Sequence, residues 1–209
     1  MKKKFLKIEN TTLIGEWEEV QQIKASNITK NDADTEVLDG LIIRGYEMKF
    51  GQKNENEEIY RKDCFDKFIN SYFVENKLNI PVDIQHRSDL LNLAGRVIYA
   101  EVNSIGLYFV AYIPKTYYYY DVVKNNLKEK ILQGFSKCGY ATDYDYQWND
   151  DGSFKAVEIK EMALLSVSLV ATPANSIKFE NVQEIQNATR FNNKTKTKTE
   201  NKLKRMFNY

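Results

Sequence analysis

The amino-acid sequence predicts a mainly β fold with flanking helices, a small closed β-barrel of about seven strands, and three observations carry that reading. Residues 38–50 (LDGLIIRGYEMKF) are rich in strand formers and interrupted by Gly40 and Gly45, the composition of a curved strand with a bulge or a close backbone approach. From residue 80 onward, apolar runs of strand length recur between turn residues. Only two segments carry helical spacing, which leaves helices as companions of the sheet and not its scaffold.

In chain order, residues 1–36 form a mixed N-terminal segment, with Thr11–Ile14 and Trp17–Ile23 expected to be ordered and Asn27–Thr35 a polar loop. Phe65, Phe68, Ile69, Tyr72 and Phe73 fall on one face of a helix over Arg61–Asn76, a core face. Ile80–Ile84 is a short strand leading to His86. Ala94–Val102 and Ile105–Ile113 make a hairpin turned at Asn103-Ser104. Tyr119, Val123, Leu127 and Ile131 align on a second helix, Lys115–Leu132, that Gly134 terminates. The four tyrosines Tyr117–Tyr120 read as packing residues. Phe135–Trp148, Phe154–Ile159 and Met162–Ala171 are the remaining strands, with Asn149-Asp150-Asp151-Gly152 as a turn.

Composition excludes several functional classes. The chain has 209 residues with 30 Lys and Arg against 29 Asp and Glu, so it lacks the strong positive balance of a dedicated nucleic-acid binder. Cys64 and Cys138 are the only cysteines and His86 the only histidine, too few for a four-cysteine or multi-histidine zinc site within one chain. No metal or cofactor is expected, and reduced thiols are the default. Lys7, Glu9 and Asn10 interrupt the N-terminus before an export signal could develop, and the apolar run Met162–Ala171 is about half of a membrane span. The last twenty residues, Arg190–Tyr209, carry seven basic residues and one acid, a net of +6, whereas the other 189 carry −5. The expected division is therefore a segment 1–36, a domain 37–179 and a flexible basic extension 180–209. The extension could contact nucleic acid or an acidic partner, or be a solvated terminus.

Chemistry concentrates in three places. His86 is the one side chain whose unperturbed pKa of about 6.5 suits a general base at neutral pH. In Gln133-Gly134-Phe135-Ser136-Lys137-Cys138-Gly139-Tyr140, Ser136 stands where the chain enters a strand, and Cys138 shares its face as a rival nucleophile. The segment lacks the spacing of an α/β-hydrolase nucleophile elbow, because the second glycine is Gly139. Glu161, at the entry to an apolar strand, could orient the imidazole; an exposed strand-end charge is its other reading. Ser168 lies in what reads as a core strand and is a poor nucleophile candidate.

In order along the chain, Gly45-Tyr46 to Phe50-Gly51, Cys64–Phe68, Val82–His86, Leu93–Val97, Gly106-Leu107-Tyr108, Gly134-Phe135-Ser136 with Gly139-Tyr140, and Leu164–Asn175 resemble the prohead (capsid maturation) proteases of tailed bacteriophages. The resemblance covers residues 38–178, and its most specific block is Leu164–Asn175, similar to the family's Leu-x-x-Val-Ser-Leu-Val-x-x-Pro-Ala-Asn. That family in turn is similar to the assemblin proteases of herpesviruses, which implies an assemblin-like barrel. The resemblance implies a serine endopeptidase with Ser136 as nucleophile, His86 as base and Glu161 as third member, and oxyanion donors from the backbone of Leu169 and Val170. Cys64 departs from the family's Gly-Ala pair, and Ser166 stands where the family often has Glu.

The implied setting is the host cytoplasm, inside the assembling prohead, with the major capsid protein and the scaffolding protein as substrates and no membrane. The chain's own tail is a further implied substrate and a homodimer a further partner. The competing reading, favoured by Ser166, is an inactive capsid or scaffold component that retains the protease fold.

Overall fold

The computed structural model describes residues 11–12, 35–75 and 79–191. Nine strands form one sheet: β1 (Thr11–Thr12), β2 (Thr35–Lys49), β3 (Glu58–Tyr60), β4 (Pro81–Ile84), β5 (Leu93–Val102), β6 (Gly106–Pro114), β7 (Gly134–Trp148), β8 (Phe154–Val170) and β9 (Asn181–Phe191). A π-helix, Phe68–Glu75, and one α-helix, α1 (Tyr120–Lys128), accompany them. The mainly β class stands, with more strands than expected. The closed barrel does not: among the described residues the strand order runs β1-β9-β2-β6-β5-β4-β8-β3, with β7 added on β8, and no pairing returns the path to its start.

The long strand β2 extends the one foreseen over 38–50. It is bent at a register shift between Leu38 and Gly40, and a Cβ at Gly40 would lie 2.1 Å from the carbonyl oxygen of Ile113 on β6. That contact explains the glycine. Residues alternate between two apolar layers. Leu41, Ile43, Leu107, Phe109, Val167 and Leu169 join the larger core with Phe65 and Phe135, and Leu38, Ile42, Ile98, Val110 and Ile185 form a smaller one on the other face. The expected β5–β6 hairpin is present, with Val102 opposite Leu107 and the second strand starting at Gly106.

Three expectations are corrected. The first helix is shorter than residues 61–76, and Phe65 fills the core from the turn before it. The second ends at Lys128: Lys130 adopts φ 58, the N–H of Ile131 donates to the carbonyl of Asn126, and that of Lys130 to Leu127. This Schellman closure ends the helix six residues before Gly134 and leaves Ile131 exposed. The third concerns the extension from 180. Residues 181–191 are β9, paired with β2 on one side and with Thr11–Thr12 on the other. Polar contacts also hold this strand: Arg44 Nη1 donates to Asn181 Oδ1 and Gln183 Oε1, and Lys124 pairs with Glu184 at 2.7 Å. The readings of residues 13–34 and of the tail beyond 191 lie outside the described residues. No described helix is long and apolar enough to cross a membrane.

Candidate active site

Strand β8 is the spine of the site. It lies between β4, which runs parallel to it (Val82 opposite Val167, Asp83 opposite Ser168, Ile84 opposite Leu169), and β7, which runs antiparallel (Ser136 opposite Ser168, Cys138 opposite Ser166). Partners in register share a face, so Ser136, Cys138, Ser166, Ser168 and Asp83 stand on one side of the sheet. Phe135, Val167, Leu169 and Val82 stand on the other, in the core. The sequence pattern Ser-Val-Ser-Leu produces this directly, by alternation of polar and apolar positions.

His86 reaches the polar face from a turn that closes β4. Gln85 and His86 have φ values of 56 and 58, and the N–H of Arg87 donates to the carbonyl of Ile84 at 3.2 Å. Two successive left-handed residues define a type I′ turn, a conformation that favours asparagine and glycine. Here glutamine and histidine occupy it, at a cost of about 1–3 kcal/mol each. The N–H of Gln85 donates to the carbonyl of Leu169 at 3.1 Å, which ties the strained turn to β8.

The turn places His86 Nδ1 3.0 Å from Ser168 Oγ. Ser168 is fully buried, His86 is exposed, and Ser136 is half-buried beside them. One ring nitrogen is thus held from below, and Nε2 makes no hydrogen bond among the described residues. Ser136 Oγ makes none either, with His86 or with any other described residue. Nucleophile–base contacts are often open without substrate. Cys138 lies opposite Ser166, whose Oγ donates to the buried Asp83 Oδ2 at 2.7 Å, so the thiol belongs to the acid's side of the face and Ser136 to the histidine's. Asp83 Oδ2 also accepts from Ser88 Oγ at 3.3 Å. Sequence reasoning missed Asp83 and the role of Ser168. An acid in the middle of the apolar strand Ile80–Ile84 was the available signal.

Glu161 is elsewhere. It lies seven residues before Ser168 on β8, roughly 20 Å along an extended strand. Its Oε1 accepts from Lys67 Nζ at 2.7 Å and Thr142 Oγ1 at 2.9 Å, and these contacts, Lys67 first, hold its carboxyl below the usual range. The structure thus does not bring Glu161, the expected third triad member, to His86. The backbone of Leu169 and Val170 lies in the ladder beside the histidine turn. The carbonyl of Leu169 accepts from Gln85 and that of Val170 from Gln133, and both residues are paired within the sheet. These contacts engage the two carbonyls with Gln85 and Gln133.

The opposite face of β7 braces the site. Lys137, next to Ser136, is buried and its Nζ lies 3.4 Å from Glu47 Oε1 and 4.1 Å from the centre of the Tyr60 ring. Burial pushes the Glu47 carboxyl up and Lys137 pulls it back down. Asn175 Nδ2 donates to the carbonyl and Oε1 of Glu47, which explains the asparagine of the Pro-Ala-Asn block. At the strand's start, a Cβ on Gly134 would meet Ile177 O at 2.3 Å and Pro173 Cγ at 2.7 Å, so the same block packs where β7 begins. Cys64 is buried in the core, and burial pushes its thiol up to about 12, consistent with a packing role.

Ser136, the register partner of Ser168, stands on the face that His86 reaches, and a serine and a histidine are residue types that can serve as nucleophile and base. The chain belongs to the Caudovirus prohead serine protease family, whose match spans residues 26–194 and so includes the entire site; it is a serine peptidase of capsid maturation. Eight chains of solved structures match it. Among them is the capsid assembly protease gp21 of bacteriophage T4, with a TM-score of 0.51 and 16% identity over 79% of this chain and 96% of that one. That likeness is one of fold. No curated protein matches.

Proposed function

We propose that this protease cleaves peptide bonds of scaffolding protein and capsid protein inside the assembling prohead, and its own basic tail, with Ser136 as nucleophile and His86 as general base. The observation that supports this most is the pairing of Ser136 with Ser168 in the β7–β8 ladder while Ser168 holds His86 Nδ1, because it leaves Nε2 for the proton of Ser136. In the reaction, Ser136 Oγ bonds to the scissile carbonyl carbon as its proton passes to Nε2. The imidazolium then protonates the departing amine, and water, deprotonated by the same nitrogen, releases the acyl group from Ser136. The strained turn that carries His86 also supports the reading, since such backbone recurs at functional sites. It counts against an inactive capsid component, which would have no need to maintain it.

The test is co-expression with the cognate capsid and scaffold proteins, read by intact mass. Wild type is expected to shorten the substrates, and Ser136→Ala and His86→Ala to leave them whole. Cleavage that persists in Ser136→Ala would overturn the reading.

A further inference from the structure

We propose that Asp83 and Ser168 are the positioning residues of His86, forming a chain His86–Ser168–Asp83 in which a buried carboxylate on β4 substitutes for the missing acid of the site. The inference rests on the Ser136–His86 reading and adds its third and fourth members.

Four observations carry it. Asp83 has no exposed surface, and its Oδ1 is a buried oxygen without a hydrogen-bond partner. Asp83 is the register partner of Ser168 in the β4–β8 ladder, so the two side chains are neighbours on one face. Ser168 Oγ lies 3.0 Å from His86 Nδ1. Ser166 Oγ donates to Asp83 Oδ2, which turns the carboxylate toward the β8 hydroxyls. A buried carboxylate is thus present one strand away from Ser168, on the same face.

The chemistry dictates the direction of the chain. For Nε2 to take the proton of Ser136, Nδ1 must carry the other ring proton and donate it. Ser168 Oγ is then the acceptor, and its own hydroxyl proton needs a second acceptor, for which Asp83 Oδ1 is the open oxygen. No proton moves along this chain during turnover. It holds the ring and its tautomer, and the buried negative charge stabilises imidazolium as Nε2 is protonated. Other charged or titratable groups around the ring are Arg87 and Asp89 in the following loop and Cys138 on β7. The Asp89 carboxylate is occupied by Asn92, and Lys137 points to the opposite face. On β8 the facing side chains are the hydroxyls of Ser166 and Ser168.

The only histidine in the chain makes the test direct, because its Cε1–H proton resonance titrates alone. In the Ser136→Ala protein, Asp83→Asn is expected to move the titration midpoint of His86 to lower pH by roughly one unit. In the active protein the same substitution should lower kcat about tenfold or more, with KM unchanged, and move the acid limb of the kcat/KM profile to lower pH. The double variant Asp83→Ser/Ser166→Glu, which returns the carboxylate to β8, is expected to restore the midpoint and part of kcat. If Asp83→Asn does not fold, Ser168→Ala takes its place, with the same direction expected for midpoint and kcat. A folded Asp83→Asn or Ser168→Ala protein with the wild-type midpoint and acid limb would overturn the proposal. Failure of the serine reading is distinct, since it appears as cleavage by Ser136→Ala while the His86 titration remains readable.

Discussion

The two ends of the β7–β8 hairpin are built from the same strands and do opposite things. At the root, Gly134–Cys138 against Ser166–Val170, β8 is covered by β4, and Ser166 and Ser168 are buried, the one bonded to Asp83 and the other to His86. Toward the tip, Tyr144, Tyr146, Trp148 and Phe154 are exposed and meet one another in edge-to-face pairs such as Trp148–Phe154 at 5.8 Å. At the root Ser168 holds the ring of His86; toward the tip Lys67 and Thr142 hold Glu161. Chemistry follows the third strand, β4, and not the hairpin itself.

That contrast orders the expected effects of substitution. At the root, Ser136→Ala and His86→Ala should each lower cleavage on the order of 10³-fold or more, read by intact mass of co-expressed substrate. Beneath it, Lys137→Met leaves Glu47 buried without its cation and should destabilise the fold by about 3–5 kcal/mol, read by denaturant unfolding. The pH dependence there has a defined sign. Because burial raises the Glu47 carboxyl in the folded state, its contribution to stability is complete below the ordinary carboxylate range and is lost as pH rises through the folded value. Unfolding of Glu47→Gln measured between pH 5 and pH 8 should therefore depend less on pH than that of wild type.

Smaller effects sharpen the comparison further. Gln85→Gly removes a left-handed strain and should raise stability by up to about 1 kcal/mol, seen as a higher Tm. Toward the tip, Glu161→Ala should leave the cleavage rate within about twofold of wild type, the range of exposed positions remote from the chemistry. A loss as large as that of His86→Ala would show that the two ends of the hairpin act together and would break the contrast.

Much of this was legible in the residues. Alternation exposed the strands, Asn103-Ser104 the hairpin, and the scarcity of histidine singled out His86. The shared face of positions 136 and 138 was legible too, but not which of them neighbours the ring, because that depends on the register with β8. Glu161 was misplaced for the same reason: spacing along one strand does not say which other strand lies beside it, and β4 meets β8 only at residues 167–169. Residues 181–191 read as part of a polar tail because their fit to β2 uses amide and ion-pair contacts that composition does not reveal.

The most direct measurement is labelling of the wild-type protein with a fluorophosphonate, followed by peptide mapping in the mass spectrometer. The account predicts one adduct, on Ser136, that disappears in His86→Ala. An adduct on Ser168 or Cys138, or labelling of Ser136 that does not need His86, would contradict it.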